Sequence, residues 1–273
     1  TFLLHFNYKS IFFYNGIKFV KSKCVHNFNK YKMLANIYYR KAYLLYFFCL
    51  SFVVSQTQIG IDIIGLSPGD MFGRSVAISS NGSRIVVGAP YNDDNTNNSG
   101  HVRVFELTDS LWIQLGQDII GQDWNDELGR AVAINSDGSI IAVGEPNHDE
   151  PFSSLNTGRI RVFYYTDGIW APLGNDINGD NDTKWLGHSI SLSANGNRLA
   201  TGAPWSHVGI GEVRVFDLVD GEWIQTGLEI TGSLNQNDTL LFGQSVSLSS
   251  DGNRMAIGAA VSNNSSNGYV QVY

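Results

Sequence analysis

The chain has little cysteine and little lysine, and its first 55 residues contain no Asp or Glu. Both cysteines, Cys24 and Cys49, fall in that acid-free segment, so the rest of the chain has no internal disulfide and no thiol nucleophile. Residues 56–273 hold all 25 acidic residues against ten basic ones (18 in the chain less the eight before residue 56), a formal net charge of −15. Phosphate backbones are bound through Lys and Arg, so this composition argues against a nucleic-acid partner. Without disulfides, the fold must depend on a buried core.

Motifs of covalent and phosphoryl-transfer catalysis are also missing. The sequence has no Gly-x-Ser-x-Gly elbow and no Gly-x-x-x-x-Gly-Lys loop. Four histidines follow residue 56, and two of them, His101 and His188, fall in predicted strands, where we expect a packing role. We therefore predict a protein that is not an enzyme.

The first 55 residues predict a leader that is separate from the fold. Arg40 and Lys41 form a basic start, residues 42–54 are mostly apolar, and Ser55 is a small residue at a cleavage position before Gln56. This pattern predicts a signal peptide over residues 33–55 and a secreted, extracellular or cell-surface protein. The apolar stretch is shorter than the about 20 residues of a membrane span, and a short anchored helix is the alternative. Residues 1–32 precede the first methionine and are predicted to be a non-native or unstructured extension.

What the chain does contain is a motif that occurs four times. The first copy runs from Phe72-Gly73 through Asn81-Gly82 to Gly88-Ala89-Pro90. Its leading glycine recurs after 56, 58 and 56 residues, a period that is typical of stacked structural units. The glycines that define the copies are Gly73, Gly88, Gly129, Gly144, Gly187, Gly202, Gly243 and Gly258.

Each copy predicts four short antiparallel strands. The first strand alternates small and branched residues, and the second is almost continuously apolar, as a strand covered on both faces is. Asn-Gly or Asp-Gly lies between them and predicts a tight type I′ hairpin turn. The third strand has the pattern of Val102-Arg103-Val104-Phe105, and the fourth begins at a tryptophan. These tryptophans, Trp112, Trp170 and Trp223, recur at a fixed position, so we interpret them as packing residues.

Four antiparallel strands in a tandem unit of this length predict an all-β fold, the β-propeller. The predicted blade units are 56–111, 112–169, 170–222 and 223–273. The stretch Phe72–Ala77 followed by Val87–Pro90 resembles the FG-GAP repeat of integrin α-subunits and secreted surface proteins. The resemblance covers residues 58–273 and implies an integrin-alpha-like β-propeller, which has seven blades in integrins, and a role in cell adhesion.

Two ways of completing the propeller stay open. Ile59–Ile63 matches the predicted fourth strand, as a comparison with residues 115–119 shows. That segment could complete the last blade and close a four-bladed ring. Alternatively, the four blades are a partial arc of a larger propeller, with further blades after Tyr273. We favour the arc, because the chain stops at the end of a strand.

The resemblance implies a calcium loop between the first two strands of a blade, and the sequence departs from it there. The interval holds only short turns such as Ser80–Ser83, each with at most one carboxylate. Calcium takes six to eight oxygen ligands, so these turns cannot supply a site. We predict no cofactor. The weak calcium candidates are Asp93 and Asp94, in an Asn-rich loop elsewhere in the unit.

The long loops of the four units predict one functional face. Loops between the second and third strands, and between consecutive units, emerge on the same side and carry most of the acidic residues, with tryptophans among them. Loops on a rigid scaffold are the usual place for recognition. The candidate ligand-binding residues on this long-loop face are Asp94, Trp124, Asp126, Trp185 and Trp205.

Three functions are compatible with this pattern. The first is a non-enzymatic binding or adhesion module that recognises a protein or glycan through the long-loop face. The second is a propeller-based hydrolase or lyase of polysaccharides, which would need two carboxylates about 5 to 10 Å apart. The third is a purely structural repeat segment of a larger surface protein. We favour the first because the loops of one face are much longer than those of the other.

Overall fold

The computed structural model describes residues 57–149, 156–180, 183–232, 241–260 and 267–273. The predicted extension at 1–32 lies outside these residues, and so does the predicted signal peptide at 33–55. Residues Gln58–Tyr273 form a structural unit of their own, which contains all four repeats.

Every repeat folds into one antiparallel sheet whose main strands follow chain order. The first sheet contains β1 (Ser75–Ile78), β2 (Arg84–Ala89), β3 (His101–Thr108) and β4 (Leu111–Gln114), and β5 (Ile119–Ile120) pairs with β3. The second contains β6 (Val132–Ile134), β7 (Ile140–Glu145), β8 (Arg159–Thr166) and β9 (Ile169–Pro172), and β10 (Ile177–Asn178) pairs with β8. The third contains β11 (Ser189–Leu192), β12 (Arg198–Ala203), β13 (Glu212–Val219) and β14 (Glu222–Gln225), and β15 (Ile230–Thr231) pairs with β13. The fourth contains β16 (Phe242–Leu248), β17 (Met255–Ala259) and β18 (Tyr269–Val272).

The prediction of an all-β propeller with four blades is confirmed. Within the described ranges, one helical turn, α1 (Ser206–Gly209), interrupts the strands, and no helix there is long and apolar enough to cross a membrane. The first strands of consecutive sheets contact one another, β1 with β6, β6 with β11 and β11 with β16. They therefore form the inner side of the assembly. The two-residue strands β5, β10 and β15 were not predicted, because two residues are too few to show a period.

The predicted type I′ turn between the first two strands is wrong. Gly82 has a φ of 71°, but Asn81 does not have a positive φ. The amide of Gly82 donates to the carbonyl of Ser79 at 2.9 Å, so the tight turn ends at the glycine and belongs to a longer hairpin loop. The Asn81 side chain accepts a hydrogen bond from the Ser83 amide at 3.0 Å. It stabilises its own loop, as Asn and Asp commonly do in turns.

Consecutive blades pack through two glycines of the repeat motif. A Cβ built on Gly88 would lie 2.1 Å from the carbonyl oxygen of Gly129 in the next repeat. The Ser75 hydroxyl donates to that same carbonyl at 2.6 Å. Close approach of two backbones explains why this strand ends in glycine. The repeat motif is thus an interface between blades as well as a hairpin within one.

The packing role of the repeated tryptophans is also confirmed. Trp170 and Trp223 are buried, and the indole Nε1 of Trp170 donates to the carbonyl of Leu115 in the preceding repeat at 2.8 Å. Trp112 makes the same bond to the carbonyl of Ile59 at 3.1 Å. The segment that begins at Ile59 therefore contacts the first blade in the same way that the end of the first repeat contacts the second blade.

The first and fourth sheets each leave an apolar face in solvent. Val76 on β1 is 67% exposed, whereas its counterpart Val132 on β6 is 9% exposed. Val270 on β18 is 69% exposed, whereas its counterpart Val102 on β3 is completely buried. Between neighbouring sheets these positions pack against each other. The two exposed faces are those that a further blade, or the other end of the array, would cover.

Candidate functional site

The Phe-Gly or Leu-Gly pair of each repeat forms a turn that brings two flanking side chains together. In the second repeat the amide of Arg130 donates to the carbonyl of Glu127 at 3.0 Å, and Gly129 has a φ of 90°. A glycine with positive φ at the third position is the signature of a type II turn. Residues one and four of such a turn end close in space, and here the guanidinium of Arg130 lies 3.0 Å from the carboxylate of Glu127.

The same turn occurs in all four repeats. Its closing bond is 2.9 Å in the first repeat, 3.1 Å in the third and 3.0 Å in the fourth. The residue that opens the turn always has a left-handed backbone without being glycine, a conformation that L-residues seldom adopt. Their φ angles are 57° at Met71, 57° at Glu127, 64° at Trp185 and 43° at Leu241.

A pocket of about 200 Å³ lies where the turns of the second and third repeats meet Tyr91 of the first. It is on the predicted long-loop face, at the start of the inner strands. Its lining consists of Tyr91, Glu127, Arg130, Pro146, Asn147, Trp185 and His188. Pockets that enclose drug-sized ligands measure roughly 300 to 1,000 Å³, so this one suits a single ring or the end of a longer chain.

One wall of the pocket is aromatic. The ring of Trp185 is stacked on His188, with centroids 5.8 Å apart and planes 5° from parallel. Trp205 packs edge-on against Trp185 with a centroid distance of 5.8 Å. Trp205 is 39% exposed, so the aromatic group extends from the pocket into solvent.

The lining also carries the ion pair of Glu127 and Arg130. Burial raises the pKa of the Glu127 carboxyl, and the nearby Arg130, Asn147 and Arg74 oppose that effect without cancelling it. Burial also lowers the pKa of His188 to about 4, and the positive charges of Arg130 and Arg74 add to the effect. His188 is therefore a neutral imidazole near neutral pH. Its Nδ1 is buried and has no hydrogen-bond partner among the described residues.

Two of the five predicted ligand-binding residues belong to this group. Trp185 lines the pocket, and Trp205 extends its aromatic wall. Trp124 lies in a loop of the second repeat and is 69% exposed, outside the pocket lining.

Asp126 is not available to a ligand in this arrangement. It is buried, its carboxylate is 3.1 Å from Nδ1 of His148, and it is 3.4 Å from the guanidinium of Arg159. Asp126 also belongs to a group that could hold a metal ion, because its ligand atoms all lie within 4.8 Å of one another. The group consists of Asp123, Asp126 and His148. The positive charge of Arg159 already compensates Asp126, however, and would repel a cation.

The predicted metal candidates Asp93 and Asp94 make separate contacts. Asp93 accepts the amide of Asn98 at 2.7 Å and so closes its own loop. The carboxylate of Asp94 lies 3.5 Å from Nδ1 of the fully buried His101. Both carboxylates therefore have partners within the protein. That the protein has no calcium cofactor stays a prediction.

The Ala of Gly-Ala-Pro is replaced by Glu145 in the second repeat, and a buried charge network results. The Glu145 carboxylate is completely buried and pairs with both Arg159 and Arg161. The Nε of Arg159 donates to it at 2.6 Å and the Nε of Arg161 at 2.7 Å. This network ties β7 to β8 beneath the loops of the site.

Sequence reasoning missed Glu127, Arg130 and Asn147, and placed His188 in a strand. The structure instead begins β11 at Ser189 and leaves His188 in the pocket wall. Comparing the four copies could have found the site. The positions just before the Phe/Leu-Gly pair, just after it and just after Ala/Glu-Pro differ in chemical type from copy to copy, whereas the motif between them stays constant.

A family model described as the FG-GAP repeat matches residues 66–105. No curated protein matches the chain. Among solved structures, the chain is similar to hydrazine synthase of Kuenenia stuttgartiensis, with 19% identity, a TM-score of 0.43 and coverage of 72% of this chain and 57% of that one. It is also similar to a candidate 6-phosphogluconolactonase of Bacteroides uniformis ATCC 8492, with 12% identity, a TM-score of 0.46 and coverage of 78% and 58%. The chain thus spans less than two thirds of either structure.

Proposed function

We propose that this FG-GAP repeat protein is a non-catalytic β-propeller module that recognises a glycan through the pocket of its long-loop face. The observation that carries the proposal is the stack of Trp185 on His188 beside the ion pair of Glu127 and Arg130. Flat aromatic rings accept the apolar face of a sugar, and a few fixed polar groups orient its hydroxyls. Export of the protein to the cell surface or medium, as the leader sequence predicts, would place the module among extracellular glycans.

The polar groups of the pocket are suited to binding in a fixed orientation. Arg130 offers N–H donors, and the amide of Asn147 offers a donor and an acceptor. The ion pair holds Arg130 and Glu127 in place, and the stack holds His188. A ligand therefore meets side chains that are already ordered, which lowers the entropic cost of binding.

Hydrolysis is a weaker candidate at this pocket. A glycosidase needs two carboxylates about 5 to 10 Å apart, one on each side of the scissile bond. Among the described residues, the lining supplies a single carboxylate, Glu127, and it is paired with Arg130. We therefore propose recognition and not cleavage.

A glycan array followed by calorimetry on the full chain tests the proposal. Trp185→Ala is expected to weaken binding about fivefold or more, because stacking on an indole contributes on the order of 1 kcal/mol or more. Trp185→Phe should retain part of the affinity.

Trp124→Ala is the matched control, since Trp124 lies on the same face and is more exposed than Trp205. It should leave binding unchanged. If Trp185→Ala binds as well as the unmodified chain, the site is elsewhere. If no glycan binds at all, a purely structural role for the repeats becomes the better explanation.

A further inference from the structure

The pocket is a positively charged spot on an acidic molecule. Arg130 belongs to the lining, and Arg74 is its counterpart in the first repeat, at the same place after the Phe-Gly turn. Glu127 is the single acidic residue of the lining among the described residues, and His188 is neutral. The charges of Glu127 and Arg130 cancel within the lining, so the net positive charge at this place is that of Arg74, whereas residues 56–273 carry −15 in total.

Arg74 has no ion-pair partner among the described residues. Its side chain is exposed, and it is close enough to act electrostatically on both Glu127 and His188. An unpaired guanidinium near a pocket is available to a ligand.

Arg130 is only partly used by the protein. Its Nη1 donates to the Glu127 carboxylate at 3.0 Å, and the described part of the chain shows no partner for its Nε and Nη2 groups. A guanidinium has five N–H donors in a planar fork, a geometry that matches a carboxylate.

We propose that the ligand is an acidic glycan, in which a hexuronic acid residue stacks on Trp185 and places its carboxylate against Arg130 and Arg74. The inference rests on the glycan-binding function proposed above and narrows it to one class of sugar. Aspartate and glutamate side chains elsewhere on the face would repel an acidic polymer that was not seated at this spot.

Calorimetry on the full chain with a trigalacturonate and its methyl ester tests this. The two probes share the sugar rings and differ in the charge of the carboxyl groups. We expect the free acid to bind about tenfold more tightly than the ester, as a charge-assisted hydrogen bond to arginine does. The difference should shrink as sodium chloride is raised to a few hundred millimolar.

Arg74→Gln is expected to remove most of the preference for the acid and to leave the thermal midpoint unchanged, because Arg74 is exposed and unpaired. Arg254→Gln is the matched control. It removes the same charge from an exposed residue next to a hairpin turn of the fourth repeat, and should leave the preference intact.

The possible outcomes separate this inference from the function it rests on. Equal binding of acid and ester, with loss of both in Trp185→Ala, would overturn the acidic ligand and retain glycan recognition. If neither probe binds but a neutral glycan on the array does, the acidic ligand is again overturned and glycan recognition is retained. If the acid binds Trp185→Ala as tightly as it binds the unmodified chain, the anion site lies outside the pocket, and both proposals are overturned.

Discussion

Gly144 packs so tightly on Gly187 that a Cβ at position 144 would lie 2.1 Å from the Gly187 carbonyl oxygen. The two glycines belong to consecutive repeats, and the atom that the added Cβ would meet is a backbone oxygen. Neither blade can move its side chains to relieve the clash. We therefore predict that Gly144→Ala destabilises the fold by about 2 kcal/mol or more, as overpacking of a core does. Urea unfolding followed by circular dichroism measures the change.

Gly258→Ala is a matched control for that substitution. Gly258 is the counterpart of Gly144 in the fourth repeat, and a Cβ there would meet only the Ser245 hydroxyl at 2.4 Å, which can rotate away. Its expected cost is below about 1 kcal/mol. Equal losses for the two alanine variants would mean that the contact between blades is not the reason for the glycine.

Trp170 is predicted to fasten the second blade to the first. Trp170→Phe removes the indole N–H that donates to the partly buried Leu115 carbonyl and leaves part of the indole volume empty. The two effects together should cost about 1 to 3 kcal/mol in unfolding free energy. Trp124→Phe, at an exposed position, should change it by less than about 0.5 kcal/mol. Indistinguishable values would contradict the packing role.

Glu145→Ala is expected to be costly although the other three repeats have alanine at this position. The substitution removes the carboxylate that both arginines share, which leaves Arg161 with no carboxylate partner among the described residues and Arg159 with only Asp126 and Asp176. Losing one member of a buried ion pair typically costs about 3 to 5 kcal/mol. The unfolding free energy from urea titration gives the value.

A double variant distinguishes charge from packing in this network. Glu145→Ala with Arg159→Ala removes one of the stranded charges, so it should be less destabilised than the sum of the two single variants. Simple additivity would show that Glu145 acts by filling space and not by compensating the arginines.

His188 makes stability depend on pH in the acidic range. Its pKa is lowered from 6.5 to about 4 by burial and by the charges of Arg130 and Arg74. Between those values the unfolded chain binds a proton that the folded chain does not, so stability falls as pH drops from about 6.5 to 4. At about 1.4 kcal/mol per pKa unit, reduced for partial exposure, the loss is about 2 to 3 kcal/mol.

His188→Asn should flatten that part of the profile. Glu127 acts in the opposite sense, because its raised pKa makes the folded state less stable as pH rises, and this contribution remains in the variant. The difference between the two proteins at pH 7 and pH 4.5 therefore isolates His188. A variant whose stability falls with acid as steeply as that of the original chain would refute the assignment.

The blades could be predicted because their signals are local. Alternation in Ser75–Ile78 and the apolar run of Arg84–Ala89 indicate strands, and Asn81-Gly82 marks the link between them. The conformation of that link was not predictable from the dipeptide alone. Asn81 uses its side chain to accept the Ser83 amide, and this bond favours a longer loop.

The site was harder to predict because it depends on which loops meet. Composition directed attention to acidic loop residues such as Asp126, yet that carboxylate is buried between His148 and Arg159. The pairing of Glu127 with Arg130 follows from the type II turn at Leu128-Gly129, which had been interpreted only as a repeat signature. Trp185 was found because a tryptophan in a loop stands out by itself. Its stack on His188 was not, because His188 precedes β11 where the pattern suggested a strand.

The residue that opens each turn has a left-handed backbone, which lowers the stability of the fold, while two of these residues supply side chains to the binding pocket. Holding a non-glycine residue there costs on the order of 1 kcal/mol or more, and glycine would remove the cost. The chain has 29 glycines, yet Met71, Glu127, Trp185 and Leu241 occupy these four positions. Replacing Glu127 or Trp185 by glycine would relax the backbone and empty a wall of the pocket. Selection for a more stable variant of this protein would therefore tend to erode its binding site first.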